Sequence, residues 1–169
     1  ELKLRLSDLN VCSKKGLIQR FDNTIGAASV LIPLGGDHQL SPAQGMACNI
    51  PSLKGDTQTA SVMTYGYNPY LSEQSPFHGA YYAVIESVSK IAALGAPVDK
   101  TRLSFQEYFE KLGDDKRKWG KPLLALIGAL KVQRELNLPA IGGKDSMSGT
   151  YKDLNVPPTL ISFAVSYED

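Results

Sequence analysis

The run SPFHGAYYAVIESVSKIAALGAP at positions 75–97 decides how the rest of the chain is read. Ser75 can accept from the first free amides of a helix, and Pro76 suits the first helical position. Phe77, Tyr81, Val84, Val88 and Ile91 then recur at helical spacing and define one apolar face. Gly95 and Pro97 stop the pattern. A long amphipathic helix needs an apolar surface to lie on, and the flanking segments offer strands. Thr24 to Leu34 carries Ile25, Val30, Leu31 and Ile32 and ends at Gly35-Gly36. Gln44 to Ile50 and the Thr-rich stretch Thr57 to Tyr65 read as two more strands. On the other side, Lys100 to Phe109 reads as a strand leading into a turn of helix. Pro158 to Tyr167 alternates, with Leu160, Ser162, Ala164 and Ser166 against Ile161, Phe163, Val165 and Tyr167.

A second helix is expected from about Pro122 to Leu136, with Leu123, Leu126, Ile127 and Leu130 as its buried stripe and Asn137 to Pro139 as its stop. Cys12 to Asn23, Gly35 to Ser41 and the charge run Asp114 to Lys118 read as loops. Leucines alternating with polar residues over Glu1 to Asn10 fit either a strand or a helix end. The order gives an α+β domain, a mixed sheet with two long helices on one face. Residues 1–10 read as a tail or linker from a preceding segment, and 11–169 as the domain.

The chain has 169 residues, 43% of them apolar and 21% charged, which suits one globular domain with a real core. A net charge of +1 argues for neither a nucleic-acid partner nor a membrane surface. Cys12 and Cys48 are too few for a disulfide framework or a zinc site, and free thiols read as a cytoplasmic chain. The first residue is Glu1 rather than Met, which hints at processing or excision from something longer.

Chemistry concentrates in Ala140-Ile141-Gly142-Gly143-Lys144-Asp145-Ser146-Met147-Ser148-Gly149. Glycine amides, the Lys144 ammonium and the Ser146 and Ser148 hydroxyls could face phosphate oxygens. The spacing is not that of a P-loop, and a glycine turn with a surface lysine explains it equally. Asp56 and Glu86 are carboxylates from different elements that could share Mg²⁺. Equally, Glu86 and Lys90 stand four apart in the order that favours a simple ion pair. His38 and His78 have no metal-ligand spacing, no elbow motif supports a Ser-His-Asp site, and Asp22 could orient its loop or meet a ligand.

Several of these segments together resemble phosphoribosylformylglycinamidine synthase. They are Arg20-Phe21-Asp22-Asn23-Thr24-Ile25-Gly26, Tyr67-Asn68-Pro69-Tyr70, Ser75 to Tyr81, Phe105-Gln106-Glu107-Tyr108-Phe109 before Trp119-Gly120-Lys121-Pro122, and Gly143 to Ser148 before Pro157-Pro158-Thr159-Leu160 and Ser162-Phe163-Ala164. The resemblance runs from about Val11 to Val165. It implies an ATP- and glutamine-dependent ligase that converts formylglycinamide ribonucleotide to formylglycinamidine ribonucleotide in purine biosynthesis. It implies two synthetase repeats whose N-terminal domains pack sheet against sheet into a barrel-like core. This chain resembles the N-terminal domain of the second repeat. The signature with a catalytic histidine expected of the first repeat is replaced by Gly55-Asp56-Thr57-Gln58-Thr59-Ala60, so no catalytic residue is assigned.

The resemblance further implies an auxiliary ATP or ADP with Mg²⁺. Gly142, Gly143, Lys144, Asp145 and Ser146, with Lys14 or Lys15, would hold the nucleotide, and Asp56 and Glu86 the metal. The family's third metal position, an Asn one turn after the glutamate, is Lys90 here. The implied partners are a C-terminal synthetase domain, the first repeat and a glutaminase domain. An exposed apolar sheet face would make the chain by itself a homodimer.

Overall fold

The computed structural model describes residues 1–9, 11–20 and 28–169. Two short helices come first, α1 (Leu2–Ser7) and α2 (Lys15–Arg20), and neither buries a residue. The expected loop from Cys12 therefore contains a helix, and the alternating leucines form another. Asn10 and the expected strand start at 24–27 lie outside the described residues, as do Phe21, Asp22 and Asn23. The strand is described as β1 (Ser29–Leu31). A small hairpin follows, β2 (Leu34–Gly35) with β3 (Ser41–Pro42), inside what reads as a loop. Then come β4 (Gly45–Asn49), β5 (Ala60–Gly66), α3 (Pro69–Gln74), α4 (Pro76–Ala93), β6 (Arg102–Tyr108), α5 (Lys116–Leu136), β7 (Ala140–Lys144), the hairpin β8 (Thr150–Tyr151) and β9 (Leu154–Asn155), and β10 (Thr159–Glu168).

Six strands form one sheet in the order β1-β4-β5-β10-β6-β7. Every described pairing is antiparallel except β6 with β7, so the sheet is mixed. Its alternation follows the sequence. Leu160, Ser162, Ala164 and Ser166 of β10 are buried toward the helices, while Ile161, Phe163 and Val165 are half-buried on the other side. Thr64, Ser87 and Ser162 lie inside without cost because the Thr64 hydroxyl donates to the Ser87 carbonyl and the Ser87 and Ser162 hydroxyls share a bond of 2.9 Å.

Helix α4 forms as its caps dictate. The Ser75 hydroxyl accepts from the His78 amide, Pro76 opens the first turn, and the chain leaves through Gly95 at φ +86°. Val84, Val88 and Ile91 lie on the sheet side and join Val62, Leu103, Phe105, Leu160 and Ala164 in the core. Asn68 caps α3 in the same way, and α3 packs against α4.

Helix α5 corrects two expectations. It starts at Lys116, six residues before Pro122, because Asp115 caps it and the Trp119 indole donates to the Gly113 carbonyl. Lys118 and Lys121 both grip Glu110, which is buried just before the helix, and they hold its carboxyl below the usual range. The charge run is thus a cap and a first turn rather than a solvated loop. The buried face is also a different one. Pro122, Ala125, Gly128, Ala129 and Val132 face inward. Leu123 and Leu130 are 58% and 55% exposed, and Leu126 and Ile127 are exposed beside them. The cause is close approach to α4. A Cβ on Gly128 would run into the Phe77 carbonyl, so only small residues fit this contact.

One sheet face is therefore covered and the other is open. Met46, Met63 and Tyr65 are exposed on the open side, and a hollow of about 400 Å³ lies there, lined by Leu31, Pro33, Met46, Cys48, Met63 and Phe163 among others. The expectation of a bare apolar sheet face is met. Among the described residues no helix is long and apolar enough to cross a membrane, and both cysteines are free.

Candidate functional site

The glycine segment is not a turn. Gly142, Gly143 and Lys144 lie in β7, an edge strand running parallel to β6, with Phe105 opposite Gly143 and Gln106 opposite Lys144. Gly143 is required there because a Cβ would strike the Phe105 carbonyl. An edge strand leaves its outward amides and carbonyls without strand partners, so backbone donors are available in extended rather than looped form. Lys144 is exposed and its Nζ stands 5.0 Å from the centre of the Tyr108 ring. Past β7 the chain stays beside β6: the Ser146 amide donates to the Glu107 carbonyl, and the Phe109 amide donates to the Ser146 carbonyl. The Ser146 and Ser148 hydroxyls are 2.8 Å apart.

A cleft of about 400 Å³ opens where β6 and β7 end under α5. Phe105, Leu126 and Met147 give it apolar walls, Gly142 and Gly143 a bare backbone floor, and Glu107, Lys144 and Asp145 its charge. Glu107 is only 7% exposed. It occupies the inward phase of β6, in step with Leu103 and Phe105, and no hydrogen bond or ion pair is made by its carboxyl among the described residues. Burial, and then the nearby Asp145 charge, push that carboxyl up to about 7. A buried acid whose carboxyl is pushed up in a cleft is a candidate functional group. Sequence reading passed over Glu107, although an acidic residue in the inward phase of an alternating strand was a signal in plain view.

The other expected residues are not gathered here. Glu86 accepts from the Tyr67 amide at 3.1 Å through one oxygen and pairs with Lys90 at 2.6 Å through the other. Lys90 also donates to the Tyr65 carbonyl and sits 4.4 Å from the Tyr65 ring centre. Glu86 and Lys90 thus clasp the chain as it leaves β5, and the ion-pair alternative is the one realised. Asp56 lies in the loop between β4 and β5, closed by the Ile50 amide donating to the Thr59 carbonyl. That loop precedes β5, whereas Tyr67 follows it, so Asp56 and Glu86 belong to opposite ends of a seven-residue strand, roughly 20 Å long. The pair does not fit Mg²⁺, since Glu86 has both oxygens engaged and its partner is a strand's length away. Among the described residues no group of three or more His, Cys, Asp or Glu could hold a metal.

Lys14 donates to the Leu9 carbonyl and, at 3.3 Å, to the Cys12 sulfur. Lys15 opens α2. His38 is exposed in the β2–β3 turn, and the His78 Nδ1 lies 2.9 Å from the Ser75 hydroxyl, a helix-capping role.

Sequence and fold together set this chain beside the synthases that build phosphoribosyl amidines. The relatives are the PurL subunit of phosphoribosylformylglycinamidine synthase, as the motifs from Val11 onward imply. The PurL subunit of Petrotoga mobilis is 26% identical over 160 residues, which covers 94% of this chain and 20% of the relative. The solved PurLQS structure from Thermotoga maritima matches 94% of this chain and 24% of its own, at 18% identity and a TM-score of 0.73. T. maritima PurL complexed with ATP matches 92% of this chain and 23% of its own, at 18% identity and a TM-score of 0.68. At such identities the structural likeness is one of fold. The chain spans about a fifth of the length of the curated relatives it matches. No model of a protein family matches it.

Proposed function

We propose that this chain is one domain of an ATP- and glutamine-dependent ligase that converts formylglycinamide ribonucleotide to formylglycinamidine ribonucleotide. Within it the chain is the N-terminal domain of the second synthetase repeat. It holds an auxiliary ATP or ADP and builds the core rather than catalysing. The observation that carries the nucleotide reading is the edge strand β7, whose Gly142–Gly143 backbone and exposed Lys144 border an open cleft. Outward amides and one ammonium are what phosphate oxygens require. The T. maritima PurL complexed with ATP supports the ligand class. Asp145 and Ser146 extend the segment, while Lys14 or Lys15 would join it from the N-terminal stretch.

Calorimetric titration with Mg-ADP and Mg-ATP tests this reading. Lys144→Ala is expected to weaken binding by at least about tenfold, the scale of one charge-assisted hydrogen bond. Absence of both heat and thermal shift in the parent chain would remove the nucleotide and leave the structural alternative. The Glu86–Lys90 pair favours that alternative, because it fills a metal position with an ammonium.

The open sheet face supports the barrel half. In the full enzyme the first repeat would cover it, with the C-terminal and glutaminase domains elsewhere. Alone, the chain is expected to pair with itself about a two-fold axis through Met63 and Phe163. Sedimentation at micromolar concentration should show a dimer, and Met63→Lys should convert it to monomer. A monomer throughout would sink the idea.

A further inference from the structure

Helix α5 has a second apolar face that the fold does not use. The inward face is Pro122, Ala125, Gly128, Ala129 and Val132, and it holds the helix against α4. On the other side Trp119, Leu123, Leu126 and Leu130 follow one another at intervals of four, three and four residues. That is the 3.5-residue repeat of a seam that receives another helix, not the polar face of a helix that meets only water. All four are exposed, Trp119 and Leu130 by 55% each. Ile127 and Leu130 line a hollow of about 440 Å³ with Lys131, Arg134 and Glu135, so the seam runs into a groove. An exposed run of large apolar side chains of this kind marks an interaction surface.

The charges select the occupant. α5 carries six basic residues against Glu135 alone. Lys118 and Lys121 grip Glu110, and Lys131 pairs with Glu135. Lys116 and Arg134 form no ion pair among the described residues. Lys116 stands one turn before Trp119 and Arg134 one turn after Leu130, so a free cation brackets the seam at each end. A second copy does not fit. Laid antiparallel, α5 against α5 sets Lys116 of one copy opposite Arg134 of the other at both ends. Laid parallel, it sets each cation beside its own like. Both arrangements repel. The chain as a whole carries only +1, which gives an anionic membrane little to hold beyond this helix. We infer that the outer face of α5 is a docking site for an amphipathic helix of another domain or subunit, with an apolar seam bracketed by acidic side chains. Its apolar knobs seat between Leu123, Leu126 and Leu130, and its carboxylates answer Lys116 and Arg134. The surface lies on the helix layer, apart from the open sheet face, and it rests on neither the nucleotide nor the ligase reading.

Trp119 is the chain's single tryptophan and reports on this face directly. The probes are two synthetic helical peptides without aromatic residues. Both carry the same leucine heptad seam, flanked by glutamates in one and by lysines in the other. The glutamate peptide is expected to shift Trp119 emission to the blue at micromolar concentration, with an affinity that falls as salt is added. The lysine peptide should give no shift. Leu130→Gln should weaken the glutamate peptide by at least about tenfold and Arg134→Gln by about threefold. Both side chains are exposed, so circular dichroism of the two variants should match the parent. Should either variant unfold, the parent's preference for the glutamate over the lysine peptide decides. Equal response to both peptides, parental affinity in a folded Leu130→Gln, or no response to the glutamate peptide at millimolar concentration overturns the proposal. So does a blue shift that grows with chain concentration alone and is lost in Leu130→Gln, which would make a second copy the occupant. Uptake by phosphatidylserine vesicles, with no response to the glutamate peptide, would assign the face to a membrane and equally remove the helix.

Discussion

Gly128→Ala should lower the thermal midpoint by about 4–8 °C, although alanine is the better helix former. The new Cβ would run into the Phe77 carbonyl, a backbone atom that cannot rotate away. α5 would have to lift off α4 along the face made by Pro122, Ala125, Ala129 and Val132. Overpacking of this kind costs about 1–3 kcal/mol and more where backbone must move. The gain in helix propensity, about 1 kcal/mol, offsets part of it. A net loss near 2 kcal/mol corresponds to the stated shift in a domain of this size. Gly120→Ala is the matched control, in the same helix with nothing within 4 Å of the added atom. It should be neutral or stabilise by up to about 1 kcal/mol. Circular dichroism melts of both variants decide the matter. If Gly128→Ala melts with Gly120→Ala, the close contact between α4 and α5 is wrong.

The same contact shows where sequence reading succeeds and where it fails. Helix α4 and strand β10 were legible because local chemistry and burial agree in them. Ser75 and Pro76 start the helix, Gly95 ends it, and the alternation over Pro158 to Tyr167 divides the residues as the sheet does. In α5 the two signals conflict. Counting hydrophobicity selects Leu123, Leu126, Ile127 and Leu130, but proximity to α4 selects glycine and alanine, and proximity is a property of the pair of helices. Strand β7 was missed for a related reason. Gly142-Gly143 has the composition of a turn, and only the pairing with β6 makes it a strand. Lys144 was singled out by its glycine and serine neighbours, with a plain surface lysine as the equal alternative, and family resemblance then favoured the ligand reading. Asp56 and Glu86 were singled out as carboxylates from different elements and are not brought together, because they belong to opposite ends of β5 and Lys90 gives Glu86 a local partner. Glu107 was legible in principle, from an alternation in which it falls among Leu103 and Phe105.

Glu107 also governs the second large effect, a fall in stability of the metal-free chain as pH rises. Its carboxyl has an ordinary value of 4.5 and is pushed up to about 7 when folded, by burial first and by Asp145 second. Between those values the folded chain holds a proton that the unfolded chain has lost, so folding is penalised progressively as pH rises. The contribution is fully present below about 4.5 and gone once pH passes 7. The full displacement corresponds to about 3 kcal/mol, and water on the Asp145 side of the cleft brings the expected loss to about 2 kcal/mol. Glu110 acts in the other direction and another window. Lys121 and Lys118 hold its carboxyl low, so its contribution is present above the ordinary value and disappears only as pH falls below it. Urea unfolding in the presence of a chelator, from pH 5 to pH 8, isolates the Glu107 window. Glu107→Gln cannot titrate, and a buried amide without a partner costs the same at every pH. The absolute stability of that variant is therefore uninformative, and the slope carries the result. The parent should lose about 2 kcal/mol relative to the variant across the range. Parallel curves would mean that Glu107 is already hydrated or paired, and would remove the buried acid on which the cleft's chemistry depends.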